Sequence, residues 1–365
     1  MDGYLKRLET GRERTWILSI DGGGIRGLIP SIILDKLEKV INEKIDDGRK
    51  PLGRDLRIAD IFDVVAGTST GSIIALGLTV SDEVDKSKPK HPASKLVDIY
   101  EKERNHIFKP SLPFSISSSF PLKFFCTKYK PDNFEALLKE NFSRKNNEIC
   151  TLNDIVEGVH VLVPSYNITK KEEVYFNNYP TYRSTDESDI YTSFSIPDVI
   201  RASTAAPTCF PAKEISKNNY IDGGVFMNNP SYFAYRDAQR IYKTNKYVVV
   251  SLGTGYYQEE INHLTSGGPA YWGLPFLSLT MNSSSKLVEG YFSNNNNDKN
   301  PNKLVYDFEY LPIRPELDRD TSLDDTSQDS INNLRNVAEK YIKEEEFNNL
   351  VDKILNYWEP KNLPS

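Results

Sequence analysis

The chain has 365 residues, 38% hydrophobic and 11% aromatic, which is enough to bury a large core, and its formal net charge of −6 argues against a nucleic-acid surface and against strong overall attraction to anionic lipid. Cys126, Cys150 and Cys209 are an odd number without metal-ligand spacing, so a reducing compartment is expected rather than a disulfide framework. No apolar run reaches the length of a transmembrane helix, and Met1 to Arg14 is charged without the apolar stretch of a secretion signal; the expectation is a soluble, cytoplasmic protein, with export lacking a cleaved signal left open.

In chain order, the first signal is Thr15-Trp16-Ile17-Leu18-Ser19-Ile20, which reads as a buried strand and runs straight into Asp21-Gly22-Gly23-Gly24-Ile25-Arg26-Gly27. Leu28, Ile32, Ile33, Leu37, Val40 and Ile41 then recur near helical spacing, so the glycines form a strand-to-helix connection. Consecutive glycines let bare N–H groups approach a negatively charged oxygen, which suits an oxyanion hole; a tight turn or a phosphate cradle would use the same loop. The second signal is Gly67-Thr68-Ser69-Thr70-Gly71, set between the strand-like Phe62-Asp63-Val64-Val65-Ala66 and the helical Ser72-Ile73-Ile74-Ala75-Leu76. That context is a nucleophile elbow: a strand turning sharply into a helix needs small neighbours, pushes the hydroxyl outward and places a positive helix end beneath it.

Further along, Lys86–Pro92 and Ser293–Asn300 read as exposed loops. Phe108 to Cys126 carries Phe114, Ile116, Phe120, Leu122, Phe124 and Phe125 among prolines, serines and lysines. Such a segment forms either a lid or membrane-docking lip, or a loop that folds its aromatics inward, and Gly268–Phe276 invites the same two readings. Strands are expected at Val159–Val163 and Tyr247–Leu252, and a third short one at Tyr220-Ile221-Asp222 opens into Gly223-Gly224. Asn229-Pro230 starts a helix, and two more follow from Ile331 to Ile342 and from Phe347 to Trp358. About five core strands alternating with helices predict an α/β fold, three layers α/β/α around a mostly parallel sheet, whose strand ends would gather Gly22, Ser69 and Asp222 at one edge. The organisation expected is an N-terminal extension over 1–14, one catalytic domain over 15–320, and C-terminal helices over 321–365 packing on it.

Asp-Gly-Gly-Gly-x-Arg-Gly, Gly-Thr-Ser-Thr-Gly and Asp-Gly-Gly, in this order, resemble the patatin family of lipid acyl hydrolases. The likeness extends to Ile200-Arg201-Ala202-Ser203-Thr204-Ala205-Ala206-Pro207-Thr208-Cys209-Phe210-Pro211 and covers the chain from Ile17 to about Leu252. The resemblance implies Ser69 as nucleophile, Asp222 as its partner, and Gly22, Gly23 and Gly24 as the oxyanion loop with Arg26 at its basic position. Gly67, Gly71, Gly223 and Gly224 are the supporting glycines of the motifs. Ser72 departs from the second glycine common in the family, a change that a first helical turn tolerates.

A conventional triad needs a histidine after the aspartate, and only His263 lies beyond Asp222; His91, His106 and His160 sit in a loop, at a charged helix end and in a strand. A Ser-Asp dyad is therefore expected, with proton transfer to a buried carboxylate accompanying attack and an acyl-enzyme intermediate. The substrate implied is the fatty acyl ester of a glycerophospholipid, met through peripheral membrane contact. No motif calls for a metal or other cofactor. Two other functions were open: an actin-like or sugar-kinase-type nucleotide enzyme, which would leave the serine elbow without a role and lacks a Walker loop, and an inert lipid-binding scaffold.

Overall fold

A computed structural model of the chain describes residues 11–45, 51–111, 127–179, 191–257, 269–295 and 307–361, with side chains of the last helix before the final strand described from 276 to 294. Strand β1 (Thr15–Ile20) has all six residues buried, Trp16, Ile17, Leu18 and Ile20 together with the small hydroxyls of Thr15 and Ser19, and lies in the middle of the sheet. To one side it pairs in parallel with β2 (Val64–Gly67), and β2 with β3 (His160–Asn167). To the other it pairs in parallel with β7 (Lys246–Leu252), and β7 with β8 (Asp307–Ile313). Three antiparallel strands complete an eight-stranded sheet: β4 (Glu172–Asn177) and β6 (Asn218–Asp222) on β3, and β5 (Lys213–Ile215) on β6.

The period-two alternation of the strands divides the interior into two layers. Trp16, Leu18, Ile20, Val65, Val161, Val163, Val248 and Val250 point to one core. Into it pack α1 (Leu28–Lys44), α2 (Thr70–Thr79), α3 (Ser94–Lys102), α4 (Asp132–Asn141) and α5 (Ile196–Ser203). Ile17, Val64, Ala66, Leu162, Tyr247 and Val249 point to the other, which is closed by α6 (Ser231–Ile241) and by Phe292 of α7 (Pro269–Asn295). Helices α8 (Gln328–Ile342) and α9 (Glu345–Tyr357) bury Leu334, Val337, Phe347 and Val351 in the same core as α1. The result is the α/β/α sandwich with a mostly parallel sheet.

Several expectations change. The sheet has eight strands among the described residues rather than about five, because β4 begins with two exposed glutamates and β8 contains Pro312, features that hide a strand pattern. Gly268–Phe276, read as a lid or loop, leads into α7, which starts at Pro269 and runs 27 residues. Ser293 and Asn294, read as exposed loop, are its exposed last turn; packing of Met281 and Phe292 outweighs the poor helix propensity of asparagine. Arg12, counted in a charged extension, is buried: it donates to Asp63 Oδ1 at 2.7 Å, Ile61 O at 3.0 Å and Asp60 O at 2.6 Å, tying the chain to the start of β2. Residues 112–126 of the apolar insertion lie outside the described residues, while Phe108 stacks edge-on to Tyr129.

Candidate active site

Parallel strands β1 and β2 end side by side, Ile20 opposite Gly67, and both turn into helices at the same sheet edge. At the end of β2, Ser69 adopts φ 53° and ψ −120°, outside the regions ordinary L-residues occupy, and α2 begins at the next residue. The flanking glycines follow from this turn: a Cβ on Gly67 would lie 2.0 Å from Gly71 O, and one on Gly71 would lie 2.3 Å from Ile20 O. Ser72 Oγ donates to Ser69 O at 2.5 Å, so the residue that departs from the family pattern closes the first helical turn.

Asp222 arrives from the opposite direction. β4 lines one edge of β3 along its length, so β2, pairing at His160–Leu162, and β6, pairing at Ser165–Asn167, share the other edge. β2 and β6 thus meet end to end along β3, and Ser69 Oγ donates to Asp222 Oδ2 at 2.6 Å. Asp222 Oδ1 accepts Gly224 N–H at 2.7 Å. Burial pushes the Asp222 carboxyl up to about 7, against the opposing pull of the Ser69 and Gly224 hydrogen bonds.

The glycine loop runs against the serine: a Cβ on Gly22 would lie 3.2 Å from Ser69 Cβ. The three glycines are not equivalent. Gly22 N–H donates to Asn228 O at 3.2 Å, which removes it from the set of free donors. Among the described residues Gly23 and Gly24 N–H meet no acceptor, and neither does Thr70 N–H at the head of α2, a donor that the sequence reading missed although the residue after an elbow serine is placed for it. Gly24 takes φ +57°, and Gly23 is pressed against Thr254, whose Oγ1 donates to Gly22 O at 2.8 Å. Arg26 lies in the short helical turn Gly24–Gly27. Desolvation lowers its guanidinium to about 10, and among the described residues its Nε has no hydrogen-bond partner and its side chain bonds neither Ser69 nor Asp222.

Further residues the sequence did not single out lie behind the loops. Met281 of α7 reaches both glycine loops, with its Cε 3.0 Å from a Cβ built on Gly22 and 3.5 Å from one on Gly224. Asp21 is buried, pushed up to about 7 by desolvation, and approached by Ser285 Oγ at 3.4 Å and Arg314 Nη2 at 3.9 Å. Arg314 in turn donates to Ser251 O at 2.7 Å, linking the ends of β7 and β8. The described histidines are engaged elsewhere: His160 Nε2 with Asp237 Oδ2 at 3.1 Å, His91 Nε2 with Asn141 O at 3.0 Å, His106 Nδ1 with Glu103 Oε2 at 2.7 Å. His263 lies outside the described residues. Among the described residues no group of three or more His, Cys, Asp or Glu is placed to hold a metal, and no helix is long and apolar enough to cross a membrane.

With this geometry in place, similarity to known proteins falls where the motifs do. The family model described as Patatin-like phospholipase matches residues 18–235. Patatin-like protein 4 of Arabidopsis thaliana is 28% identical over 363 residues, covering 89% of this chain and 82% of its own. Patatin-like protein 2 of the same plant is 30% identical over 299 residues, covering 75% of this chain and 68% of its own. Among solved structures, VipD from Legionella pneumophila aligns with 90% of this chain and 67% of its own at 14% identity and a TM-score of 0.34.

Proposed function

This chain belongs to the patatin-like phospholipase family, a family of lipid acyl hydrolases, and on that premise we propose that it cleaves fatty acyl esters of glycerophospholipids through Ser69 and Asp222. The observation that supports this most is the 2.6 Å hydrogen bond from Ser69 Oγ to a buried carboxylate at a strained elbow. Ser69 Oγ attacks the ester carbonyl carbon while its proton passes to Asp222 Oδ2, and the carbonyl oxygen takes the negative charge. Gly23, Gly24 and Thr70 supply N–H donors for that oxygen, fixed before the charge develops, and the head of α2 adds its positive end. Collapse breaks the bond to the glycerol oxygen, which leaves with the proton from Asp222, and the acyl group stays on Ser69. Water, deprotonated by the same carboxylate, then attacks the acyl-enzyme, and fatty acid departs as the serine recovers its proton.

A carboxyl near its ordinary value would be a poor base for a serine hydroxyl. Burial brings Asp222 to about 7, closer to the operating pH, where a base both accepts a proton readily and remains partly ionised. A nucleotide-binding role gives the elbow and the dyad nothing to do. A lipid-binding scaffold would bind lipid without turnover, and one experiment separates it from an enzyme. The protein is incubated with a fluorophosphonate lipid mimic and with mixed phospholipid vesicles, and peptide mass and fatty-acid release are read for wild type and Ser69→Ala. An adduct at Ser69, with release abolished in the variant, supports the reading. Label at another residue, or release surviving Ser69→Ala, refutes it.

A further inference from the structure

The family likeness extends to the stretch Ile200–Pro211, which contains neither the nucleophile nor the acid. Helix α5 ends there at Ser203, and the chain turns through Thr204 to Ala205, all three buried. Ser203 Oγ accepts the N–H of Ser69 at 2.9 Å. Ala205 O accepts the N–H of Asp222 at 3.1 Å. The backbone amides of both members of the dyad therefore end on one three-residue turn. The Ser203 hydroxyl also donates to Pro164 O at 2.7 Å, and Pro164 precedes Ser165, the residue that pairs with Asp222 across β3 and β6.

This arrangement answers a need created by the topology. β2 and β6 abut on β3 without pairing with each other, so no ladder hydrogen bond fixes the distance between their ends. Ser69 also sits at φ 53°, a conformation that persists only where surrounding contacts hold it. A group at position 203 must both accept an amide proton and donate to a carbonyl, and a serine hydroxyl does both. An alanine there would leave Ser69 N–H buried and unpaired, and the cheapest relief is rotation of the elbow toward ordinary φ, which carries Oγ away from Asp222 Oδ2.

We propose that the turn Ser203–Ala205 sets the separation of the dyad, with Ser203 a positioning residue that holds Ser69 in its attacking conformation; this rests on the reading of Ser69 and Asp222 as the catalytic pair. The test compares wild type, Ser203→Ala, Ser203→Thr and Thr79→Val. Thr79 is a fully buried hydroxyl at the far end of α2, bonded to Ala75 O at 2.7 Å, and its loss controls for simple destabilisation. Ester hydrolysis, the rate of fluorophosphonate labelling and thermal melting are measured for each. Ser203→Ala lowers kcat and the labelling rate together by roughly 10- to 100-fold with KM within twofold, since misplacement of a reacting atom costs that much. Ser203→Thr, keeping the hydroxyl, recovers most of the loss, and Thr79→Val leaves both rates at the wild-type level. Should Ser203→Ala fail to fold, Ser203→Cys, of similar shape and weak hydrogen bonding, is read in the same way. Wild-type kcat and labelling in Ser203→Ala, or a loss carried by KM alone, overturns the proposal. A wild-type protein that takes no label at Ser69 brings down the underlying reading and this inference with it.

Discussion

Asp222→Asn separates the chemistry of the site from its cost to the fold. The amide is isosteric with the carboxyl: its oxygen can accept Gly224 N–H and its nitrogen can donate to Ser69 Oγ, so both hydrogen bonds of the wild type have a counterpart. What disappears is the proton acceptor of the proposed mechanism, and on that reading turnover should fall by about 10²- to 10⁴-fold, the range a general base supplies. Stability should move the other way. Asp222 is raised from 3.8 to about 7 in the folded protein, so the native state holds its proton more tightly than the unfolded chain does. The stability tied to this group is therefore fully present below about pH 4, falls as pH climbs, and is gone above about pH 7. The span between 3.8 and about 7 converts to an upper limit of about 4 kcal/mol, and asparagine, which does not titrate, escapes it. Melting temperatures of wild type and Asp222→Asn, recorded from pH 4 to pH 8.5, should coincide near the acid end and separate by several degrees at the alkaline end, the variant being the more stable. A difference that does not change with pH, or a variant less stable than wild type at pH 8, would refute the argument that the acid is held in place against the preference of the fold.

Other consequences are as direct. The same raised carboxyl should give kcat/KM an acid limb with its midpoint near 7, activity rising with pH as Asp222 loses its proton; since Asp21 is also raised to about 7, the limb must persist in Asp21→Asn if Asp222 is its source. Ser69→Gly and Ser69→Ala both lose the hydroxyl, but only glycine accepts φ 53° without strain, so the glycine variant should melt higher, by about 1 kcal/mol in denaturant titration. Arg12→Ala breaks the ion pair of a buried Asp63 at the opposite end of β2 from Ser69, leaving it the Trp16 N–H, and should cost about 3 kcal/mol of stability, while kcat measured well below the melting temperature stays at the wild-type value.

The parts of the site legible in the sequence are those where backbone geometry dictates residue type. Gly67 and Gly71 are forced by contacts of 2.0 and 2.3 Å that any Cβ would make, and Gly24 by a positive φ, so the elbow and the glycine loop leave a fixed imprint. Buried strands such as β1 and β7 show for a similar reason, since both faces exclude water and apolar residues dominate them, with only the small hydroxyls of Ser19 and Ser251 inside the runs. Other elements are specified by partners rather than by local pattern. The two ends of α7 read as lid or loop, yet Met281 packs against the glycine loops and Phe292 in the second core, and that packing decides the helix. Arg314 and Ser285 meet at Asp21, which is distant in sequence, and a single polar residue in a loop or helix carries no periodic signal. The unequal parts of the three glycines were equally hidden, because the amide of Gly22 is taken by Asn228 O, a contact that no local pattern encodes.

Ser69 and Asp222 are 153 residues apart, and the way they meet explains why so little of the intervening chain needs to be chemical. In a sheet of parallel strands alone, residues at neighbouring strand ends stand side by side, about 5 Å apart or more across the ladder, with their side chains directed by the pleat. Here β6 enters antiparallel and stops where β2 stops, on the same edge of β3, so an acid and a hydroxyl face each other along the strand axis instead of across it. End-to-end contact brings Oγ and Oδ2 to 2.6 Å without an imidazole to bridge them. The cost is that no ladder fixes the gap, and a separate element must do so; the turn at Ser203–Ala205, which receives one amide from each side, is where the structure concentrates that task.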